Sequence, residues 1–410
     1  MKKFNQFFPL LFLVMFILAA CQSVAQAPAA EPSAESAGES EAVDSPTEMA
    51  PPADEAPSVE AEVIKVGAAH ALSGPIALYG EPISQGIQLA VAQMNAQNYL
   101  GEGKQIEVVY EDTAGDKEQA ISVFEKLINQ DGVVAILGPT LSNSAFAADP
   151  IAQEAGVPVI GSSNTASGIT EMGDFVFRTS LPESAVIPNT LQVVADARGM
   201  QDVAVMYGND DQFTQSGYEV FASSLENLGT NVVTTETFAK GDADFNAQLT
   251  KIKSLAPQAI IASALAEEAA NIMSQARQQG IEAYFIGGNG FNSPKLAEIA
   301  GDAAEGAISG AAWFIGNPTP ENQTFVEAYR AEFGTDPDQF AAQAYTAAWV
   351  LGEAIKNANS TDPAAIRDAL TAIQNLQTPL GEFSFDANRD PLHTPVVLIM
   401  KDGQFALFEE

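Results

Sequence analysis

Two short apolar runs, each followed at once by polar residues, form the clearest pattern in this sequence. Val133 to Leu137 and Val157 to Ile160 are rich in β-branched residues, and a glycine follows each run. Continuous apolar runs of this length are typical of strands that are buried on both faces, as in a parallel sheet. The polar residues behind the runs are then expected at the carboxyl edge of that sheet.

The polar residues after the first run also open a predicted helix over 143–154. The start of a helix leaves backbone N–H groups unpaired and carries partial positive charge, which favours a bound anion. Ser142, Ser163 and Thr165 could therefore hold a small carboxylate without any Arg or Lys. The alternative is that these hydroxyl groups only cap helices and close turns. The local sequence leaves both interpretations open.

Alternating strand and helix patterns extend over most of the chain. Strands are predicted near 63–69, 106–110 and 175–179 and again between 203 and 314, with helical spacing of apolar residues between them. This order predicts an α/β fold of two lobes, each built on a doubly wound, mostly parallel sheet. Helices predominate after residue 320, and the few strands that follow are too few for a third domain.

The two lobes are expected to be discontinuous in sequence. The predicted N-terminal lobe comprises 63–181 and 317–388, and the predicted C-terminal lobe comprises 182–316 and 389–410. Segments rich in helix breakers mark the three crossings, which are Leu181-Pro182, Gly316-Asn317-Pro318 and Arg389-Asp390-Pro391. Three crossings near one place would form a hinge.

Aromatic residues in the edge loops are further candidates for a cleft between the lobes. Residues 70–82 are predicted to form a loop, and the next helix is expected to begin near Pro82 because proline suits a first helical turn. Tyr79 falls in this loop, and Phe213 and Phe291 fall in loops after later strands. These rings either line a pocket or are ordinary surface residues.

The first 62 residues are predicted to lie outside the fold. Residues 1–21 have the charged start and short apolar core of a signal peptide, and the core is too short to span a bilayer. They end in Leu18-Ala19-Ala20-Cys21, which resembles a bacterial lipobox, so Cys21 is the predicted site of lipidation and membrane anchoring. Residues 22–62 contain few large apolar side chains, which predicts a disordered, acidic Ala/Pro/Glu/Ser tether.

Composition and motifs argue against several classes of function. The chain has 18 Lys and Arg against 53 Asp and Glu, a formal net charge of −35, which argues against nucleic-acid binding. It has one cysteine and two histidines, His70 and His393, and it lacks the motifs of a nucleophile elbow or a zinc site. We therefore expect no metal, no cofactor and no enzymatic activity, and we expect His70 to have a packing or hydrogen-bonding role.

Nearly all of 63–400 resembles the periplasmic-type binding proteins of branched-chain amino acid ABC transporters, the leucine/isoleucine/valine-binding group. No single motif is diagnostic, but their order and spacing are typical of this family. In chain order they are Leu72-Ser73-Gly74-Pro75 with Tyr79-Gly80, Glu111-Asp112, Ile136-Leu137-Gly138 with Leu141-Ser142, Glu154 to Ile160, Phe177-Arg178-Thr179, Gly241 to Phe245, Gln275 to Gly280 and Ala300 to Gly306. The resemblance implies the type I fold of periplasmic binding proteins.

The resemblance also implies roles for residues of the first lobe. In the family a serine and a threonine, which match Ser142 and Thr165, hold the ligand carboxylate through hydroxyl and backbone N–H groups. A backbone carbonyl near the ligand's ammonium group matches Ser163. The loop tyrosine beside the ligand side chain matches Tyr79.

The second lobe departs from the family pattern. One cleft tyrosine of the family is Phe213 here, a second falls near Leu265, and the glutamate that pairs with the ammonium falls on Asn289. A neutral amide cannot supply the charge-assisted bond that a buried ammonium needs. Either Asp210 or Asp211 replaces it, or the ligand lacks an α-ammonium.

The resemblance implies an extracytoplasmic, membrane-anchored lipoprotein that captures a small carboxylate-bearing solute and delivers it to an ABC permease. The expected ligand is a branched-chain or other apolar amino acid. Two alternatives stay open. Relatives of this fold bind amides, ureas and aromatic acids, and a ligand-sensing regulatory lipoprotein would use the same fold with a different partner.

Overall fold

The computed structural model describes residues 62–409, which form two central sheets with helices packed on them. The predicted lipidation site at Cys21 lies outside the described residues, as does the tether up to residue 61. Within 62–409, none of the helices combines the length and the hydrophobicity needed to cross a bilayer.

The first sheet explains the two apolar runs. Its strands are β1 Glu62–His70, β2 Lys104–Asp112, β3 Ile136–Leu137, β4 Val159–Gly161 and β5 Val176–Arg178. All are parallel and lie in the order β2-β1-β3-β4-β5. The helices between them are α1 Ala77–Ala96, α2 Lys117–Lys126 and α3 Ser142–Ala155. The predicted runs supply β3 and β4, and every residue of these two strands is buried.

The second sheet repeats the parallel core and extends it with two antiparallel strands. The helices of this part are α4 Glu183–Arg198, α5 Gln212–Leu228, α6 Asn246–Leu255, α7 Ala266–Gln278 and α8 Lys295–Ala300. Its strands are β6 Asp202–Gly208, β7 Asn231–Phe238, β8 Ala259–Ser263, β9 Tyr284–Gly287, β10 Ile308–Ala311, β13 Val396–Lys401 and β14 Gln404–Leu407. Strands β11 Leu376–Thr378 and β12 Gly381–Phe383 form a separate hairpin. The order is β14-β13-β10-β9-β8-β6-β7.

The remaining helices complete the first sheet's side of the molecule. They are α9 Pro320–Phe333, α10 Gln339–Ala358 and α11 Pro363–Thr371. Helices α1 and α10 touch closely, because a Cβ atom on Gly86 would lie 2.3 Å from the carbonyl oxygen of Ala341. The core here joins residues of β1 and α1 to residues of α9, α10 and β12, which lie more than 200 positions later.

We call the elements around the first sheet the first lobe and those around the second sheet the second lobe. The chain passes between them before α4, between β10 and α9, and between β12 and β13. Arg389 and Asp390, near the last of these passages, contact the first lobe: the Arg389 guanidinium donates to the carbonyl of Val176, and Asp390 pairs with Arg178. The predicted residue boundaries of the lobes stay a prediction.

Three local expectations differ from the structure. Helix α1 begins at Ala77, not near Pro82, so Tyr79 lies in a helix rather than in a loop. A Cβ on Gly80 would lie 1.8 Å from the carbonyl oxygen of Ala71, and this tight packing onto the end of β1 overrides the boundary that the proline indicates. Helices α4 and α8 were not predicted; Pro182 and Pro294 stand at their cap positions, and the first of these marked only a crossing in the sequence.

Candidate functional site

A small cavity lies where the carboxyl ends of the two sheets face each other. Its walls come from the segments that follow β1, β3, β4, β6, β8 and β9 and from the start of α10. The lining residues are Tyr79, Thr140, Leu141, Ser142, Ser163, Phe213, Leu265, Asn289, Gly290 and Phe340. Ligands of doubly wound folds bind outside the carboxyl ends of the strands, so this cavity is the candidate site.

The structure brings five of the six predicted binding residues to this cavity: Tyr79, Ser142, Ser163, Phe213 and Asn289. Thr165 is buried just behind them and does not line it. The roles of all six in binding stay predictions. The other aromatic candidate, Phe291, packs in the core of the second lobe.

The cavity is too small for a solute as it stands. Its volume is about 20 Å³, whereas small-molecule sites usually measure ~300–1,000 Å³. A larger cavity of about 640 Å³ lies between α1, α8 and α9, but it contains none of the predicted binding residues. We assign the site to the smaller cavity because polar groups of both lobes converge there. Ligand entry therefore requires the lobes to move apart.

The first lobe supplies uncharged groups suited to an anion. Ser142 is the first residue of α3, and Leu141 before it occupies the cap position without a side-chain hydrogen bond to the helix. The Ser142 hydroxyl accepts a long hydrogen bond of 3.4 Å from the amide of Ala166, so it does not cap α3. The start of this helix thus presents backbone N–H groups and a hydroxyl at the cavity wall.

Ser163 links the two loops of the first lobe. Its hydroxyl donates to the carbonyl of Thr140 at 2.6 Å, which fixes the segment after β4 against the segment after β3. Its own carbonyl faces the second lobe, where it accepts a hydrogen bond of 3.5 Å from the side chain of Asn289. The carbonyl that the family resemblance places near an ammonium group is therefore at the interface of the lobes.

Tyr79 connects the lobes through its hydroxyl. The side chain extends from α1, packs edge to face on Phe340 with 4.9 Å between ring centroids, and is buried. Its hydroxyl donates to the carbonyl of Gly290 at 2.9 Å and accepts from the amide of Ala266 at 2.8 Å. Both partners belong to the second lobe, so one side chain of the first lobe contacts two of its edge segments.

Asn289 is the polar centre of the second lobe's wall. Its side-chain oxygen accepts from the side-chain nitrogen of Gln339 at 2.7 Å, and the side-chain oxygen of Gln339 accepts from the backbone amide of Ala312 at 2.6 Å. The backbone N–H of Asn289 donates to a carboxylate oxygen of Glu183 at 3.0 Å. Asn289, which the resemblance matches to the family's glutamate, thus contacts both the Ser163 carbonyl and a buried carboxyl group.

The two aspartates proposed as substitutes for that glutamate do not reach the cavity. Asp211 caps α5 through the amide of Thr214 with one oxygen and accepts from Asn143 with the other, at 2.7 Å. Asp210 is exposed and accepts from the backbone amide of Lys240. Both carboxylates are occupied elsewhere, and the Asn143–Asp211 bond is a further direct contact between the lobes.

Apolar side chains complete the cavity. Leu141 and Phe340 come from the first lobe, and Phe213 and Leu265 come from the second. By the family resemblance, Phe213 matches one cleft tyrosine of the family, and a second falls near Leu265. The cavity therefore combines uncharged anion donors on one side with an apolar wall on the other.

Glu183, Gln339 and Phe340 are residues of the site region that sequence reasoning missed. Glu183 directly follows the breaker pair Leu181-Pro182, which drew attention as a crossing and hid the start of α4. Burial raises the pKa of the Glu183 carboxyl to about 7. A glutamate in the first turn of a helix is ordinary in sequence, so only its burial and its neighbours single it out.

Neither histidine lines the cavity. His70 is fully buried at the end of β1, with its Nδ1 3.4 Å from the Thr140 hydroxyl. Burial lowers the pKa of His70 to about 3 and that of His393 to about 4. Both rings are therefore neutral at physiological pH, and no described residue of the cavity offers a nucleophile beside a base.

Comparison with known proteins decides the family. The model of the periplasmic binding protein family matches residues 63–403. This chain belongs to the periplasmic binding protein family. The family comprises extracytoplasmic binding proteins and is not a class of enzymes. A relative is the leucine-, isoleucine-, valine-, threonine- and alanine-binding protein of Pseudomonas aeruginosa, 30% identical over 86% of this chain and 91% of that protein.

Solved structures give the same answer for the fold. The branched-chain amino acid binding protein LivJ of Streptococcus pneumoniae, in complex with isoleucine, is 31% identical and matches with a TM-score of 0.79 over 84% of this chain and 98% of its own. A solute-binding protein of R. palustris in complex with benzoate is 25% identical, with a TM-score of 0.77 over 84% and 95%. The predicted type I fold and the predicted relation to the leucine/isoleucine/valine-binding group are confirmed.

Proposed function

We propose that this family member captures a small carboxylate-bearing solute, foremost a branched-chain or other apolar amino acid, and delivers it to an ABC permease. One observation carries the proposal: uncharged anion donors and an apolar wall meet in one cavity between two lobes. None of the ten described residues that line it is charged. An anion there must be held by hydroxyls and backbone N–H groups, which suits an α-carboxylate.

The proposed binding mode assigns a part of the ligand to each wall. The carboxylate lies at the start of α3, beside Ser142 and near Thr165. The ammonium lies toward the Ser163 carbonyl and Asn289, and the apolar side chain lies against Phe213 and its neighbours. Closure of the lobes is favoured only by contacts made in the closed state, so the ligand must bridge both walls.

The named ligands of the relatives support this assignment. The Pseudomonas aeruginosa relative is named for leucine, isoleucine, valine, threonine and alanine, and the Streptococcus pneumoniae structure contains isoleucine. We infer the same ligand class and a permease partner for this chain.

The test is a thermal-shift screen of the purified protein against apolar amino acids, small amides and aromatic acids, followed by calorimetry of the hits. A ligand at 100 times its Kd stabilises the folded state by about 2.7 kcal/mol, which is a clear shift in Tm. Stabilisation by leucine, isoleucine or valine supports the proposal. The absence of any shift with all three would refute the amino acid assignment.

A second ligand class, aromatic acids, is favoured by the second lobe. By the resemblance, Phe213 and a residue near Leu265 stand where the family has two tyrosines, and Asn289 stands where it has a glutamate. The resulting wall suits an apolar ring and is poor in charge. The R. palustris relative was solved with benzoate. Preferential stabilisation by benzoate over leucine in the same screen would establish this alternative.

We also propose that Cys21 carries lipid and anchors the protein to a membrane. The support is the Leu18-Ala19-Ala20-Cys21 sequence, and several acyl chains together give stable anchoring. Full-length protein expressed in bacteria should fractionate with membranes, and Cys21→Ala should release it into the soluble extracytoplasmic fraction. An unchanged distribution of the variant would contradict lipid anchoring.

A further inference from the structure

The carboxyl group of Glu183 is buried beside the candidate site and only partly satisfied. The residue lies in the first turn of α4 and is 1% exposed. One carboxylate oxygen accepts from the backbone amide of Asn289 at 3.0 Å. The other has no hydrogen-bond partner among residues 62–409. Buried polar atoms are nearly always paired, so an unpaired carboxylate oxygen calls for an explanation.

The unpaired oxygen has a second unpaired polar group as its neighbour. The hydroxyl of Thr165 is buried and also lacks a hydrogen-bond partner within the described part of the chain. It lies close enough to Glu183 to influence the carboxyl, but the two do not form a well-aligned hydrogen bond. Two neighbouring buried groups, one from each lobe, therefore lack a well-formed hydrogen bond within residues 62–409.

The backbone at Gly288, next to the cavity residue Asn289, packs against the carboxyl group of Glu183. A Cβ atom on Gly288 would lie 2.7 Å from a Glu183 oxygen, so the segment leading to Asn289 packs directly on it. Glu183 thus touches the residue that matches the family's ammonium-binding glutamate, and it neighbours Thr165, which matches the family's carboxylate-binding threonine. Glu183 does not line the cavity, but it contacts Asn289, which does.

No cation of the described chain compensates this carboxyl group. The groups that act on it besides burial are the amide of Asn289 and the hydroxyl of Thr165, and both are uncharged. Among residues 62–409 it forms no salt bridge. A buried charge without a partner is costly, so a cation supplied from outside would be strongly favoured.

We propose that Glu183 is the counter-charge for the ammonium group of an amino acid ligand. It supplies the negative charge that the neutral side chain of Asn289 lacks. This inference rests on the proposed function. The ammonium lies among the Ser163 carbonyl, the Thr165 hydroxyl and the Asn289 side chain, with Glu183 directly behind the last two. The sequence-based candidates Asp210 and Asp211 are both occupied elsewhere. Asp338 and Glu268, two other carboxyls near Tyr79, accept from the amides of Ala341 and Gly241, whereas Glu183 contacts Asn289 itself.

The proposal makes ligand binding a proton-linked reaction. With a pKa of about 7, the carboxyl is largely protonated at about pH 6 and largely ionised at about pH 8. An arriving ammonium stabilises the ionised form, so binding at the lower pH must release a proton. Affinity for leucine is then expected to rise about tenfold between about pH 6 and pH 8 and to level off above.

The test measures leucine binding by calorimetry at both pH values, each in two buffers of different ionisation enthalpy. The wild type should release close to one proton per leucine at about pH 6 and almost none at about pH 8. Glu183→Gln keeps the size of the side chain and an acceptor for Asn289. It should bind leucine roughly ten- to hundredfold more weakly at about pH 8 and should release no proton at either pH.

Asp149→Asn is the matched control. Asp149 is another buried carboxyl with a raised pKa, two helical turns along α3 from Ser142 and away from the cavity. Its variant should retain the wild-type affinity, pH profile and proton release. A shared loss in both variants would overturn the assignment of the effect to Glu183, and thermal unfolding of each variant without ligand shows whether it is folded.

The possible failures are distinguishable. Wild-type affinity and proton release in Glu183→Gln would overturn this inference and leave the proposed function intact. Failure of the wild type to bind any amino acid would overturn the proposed ligand class and the inference with it. Benzoate has no ammonium, so Glu183→Gln should bind it at least as tightly as the wild type does. A parallel loss of leucine and benzoate binding in this variant would overturn the inference, because it would show a general effect on the site.

Discussion

Replacing Glu183 with glutamine should make the protein more stable at alkaline pH. Burial raises the pKa of this carboxyl from its ordinary value of 4.5 to about 7. Below about pH 4.5 the group is protonated in both the folded and the unfolded chain, so it contributes no pH-dependent term. Between 4.5 and 7 only the unfolded chain ionises freely, and the free energy of unfolding falls as the pH rises.

The magnitude follows from the difference between the two pKa values. At ~1.36 kcal/mol for each pKa unit, the loss amounts to about 3 kcal/mol once the pH exceeds 7, where both states are ionised. The side chain is 1% exposed, so solvent screening reduces this figure little. Glutamine does not titrate, and the variant should therefore lack this loss entirely.

The assay is urea unfolding without ligand, followed by circular dichroism at about pH 4.5, 6, 7 and 8. The difference between variant and wild type should grow by about 3 kcal/mol from the lowest to the highest pH. Glu154→Gln, which removes an exposed carboxylate on α3, serves as the control and should follow the wild-type curve. Parallel curves for wild type and Glu183→Gln would refute the reasoning.

Three other perturbations test the site and the hinge. Ser142→Ala combined with Thr165→Ala should weaken ligand binding by several kcal/mol, at ~1.5–3 kcal/mol for each charge-assisted bond, and unchanged affinity in calorimetry would contradict the anion site. Tyr79→Phe removes a hydroxyl that makes two hydrogen bonds between the lobes and should increase the radius of gyration in solution scattering; an identical scattering profile would contradict its bridging role. Asp390→Ala leaves Arg178 buried without its partner and should cost about 3–5 kcal/mol in urea unfolding, and a loss below about 1 kcal/mol would show that the pair contributes little.

Local patterns were enough to predict the α/β class and most elements. The runs ending at Gly138 and Gly161 are β3 and β4, and the helical stretch predicted after residue 320 contains α9, α10 and α11. These features can be predicted locally, because burial on both faces and helical periodicity each produce a pattern of apolar residues within a short stretch of sequence. Helix α4 was missed because Pro182 at its cap position suggested only a break.

The interior of the site was harder to predict because its contacts join distant parts of the chain. Tyr79 meets Gly290 across 211 positions, and no local signal indicates that pairing. The same holds for Glu183, whose burial depends on Gly288 and Thr165 approaching from two different loops. Thr165 shows the converse case, since its motif places it at the right edge but the structure directs it behind the cavity wall.

The direct bonds between the lobes have a consequence for affinity. Asn289 donates to Ser163, Asn143 to Asp211, and the hydroxyl of Tyr79 joins two further backbone groups. A solute does not fit into a cavity of about 20 Å³, so its binding must break some of these hydrogen bonds between the lobes. The hydrogen bonds of the closed protein therefore compete with ligand binding. The observed Kd is then the intrinsic value divided by the fraction of molecules whose lobes have parted. Uptake at low solute concentration can thus be tuned at residues that never touch the solute.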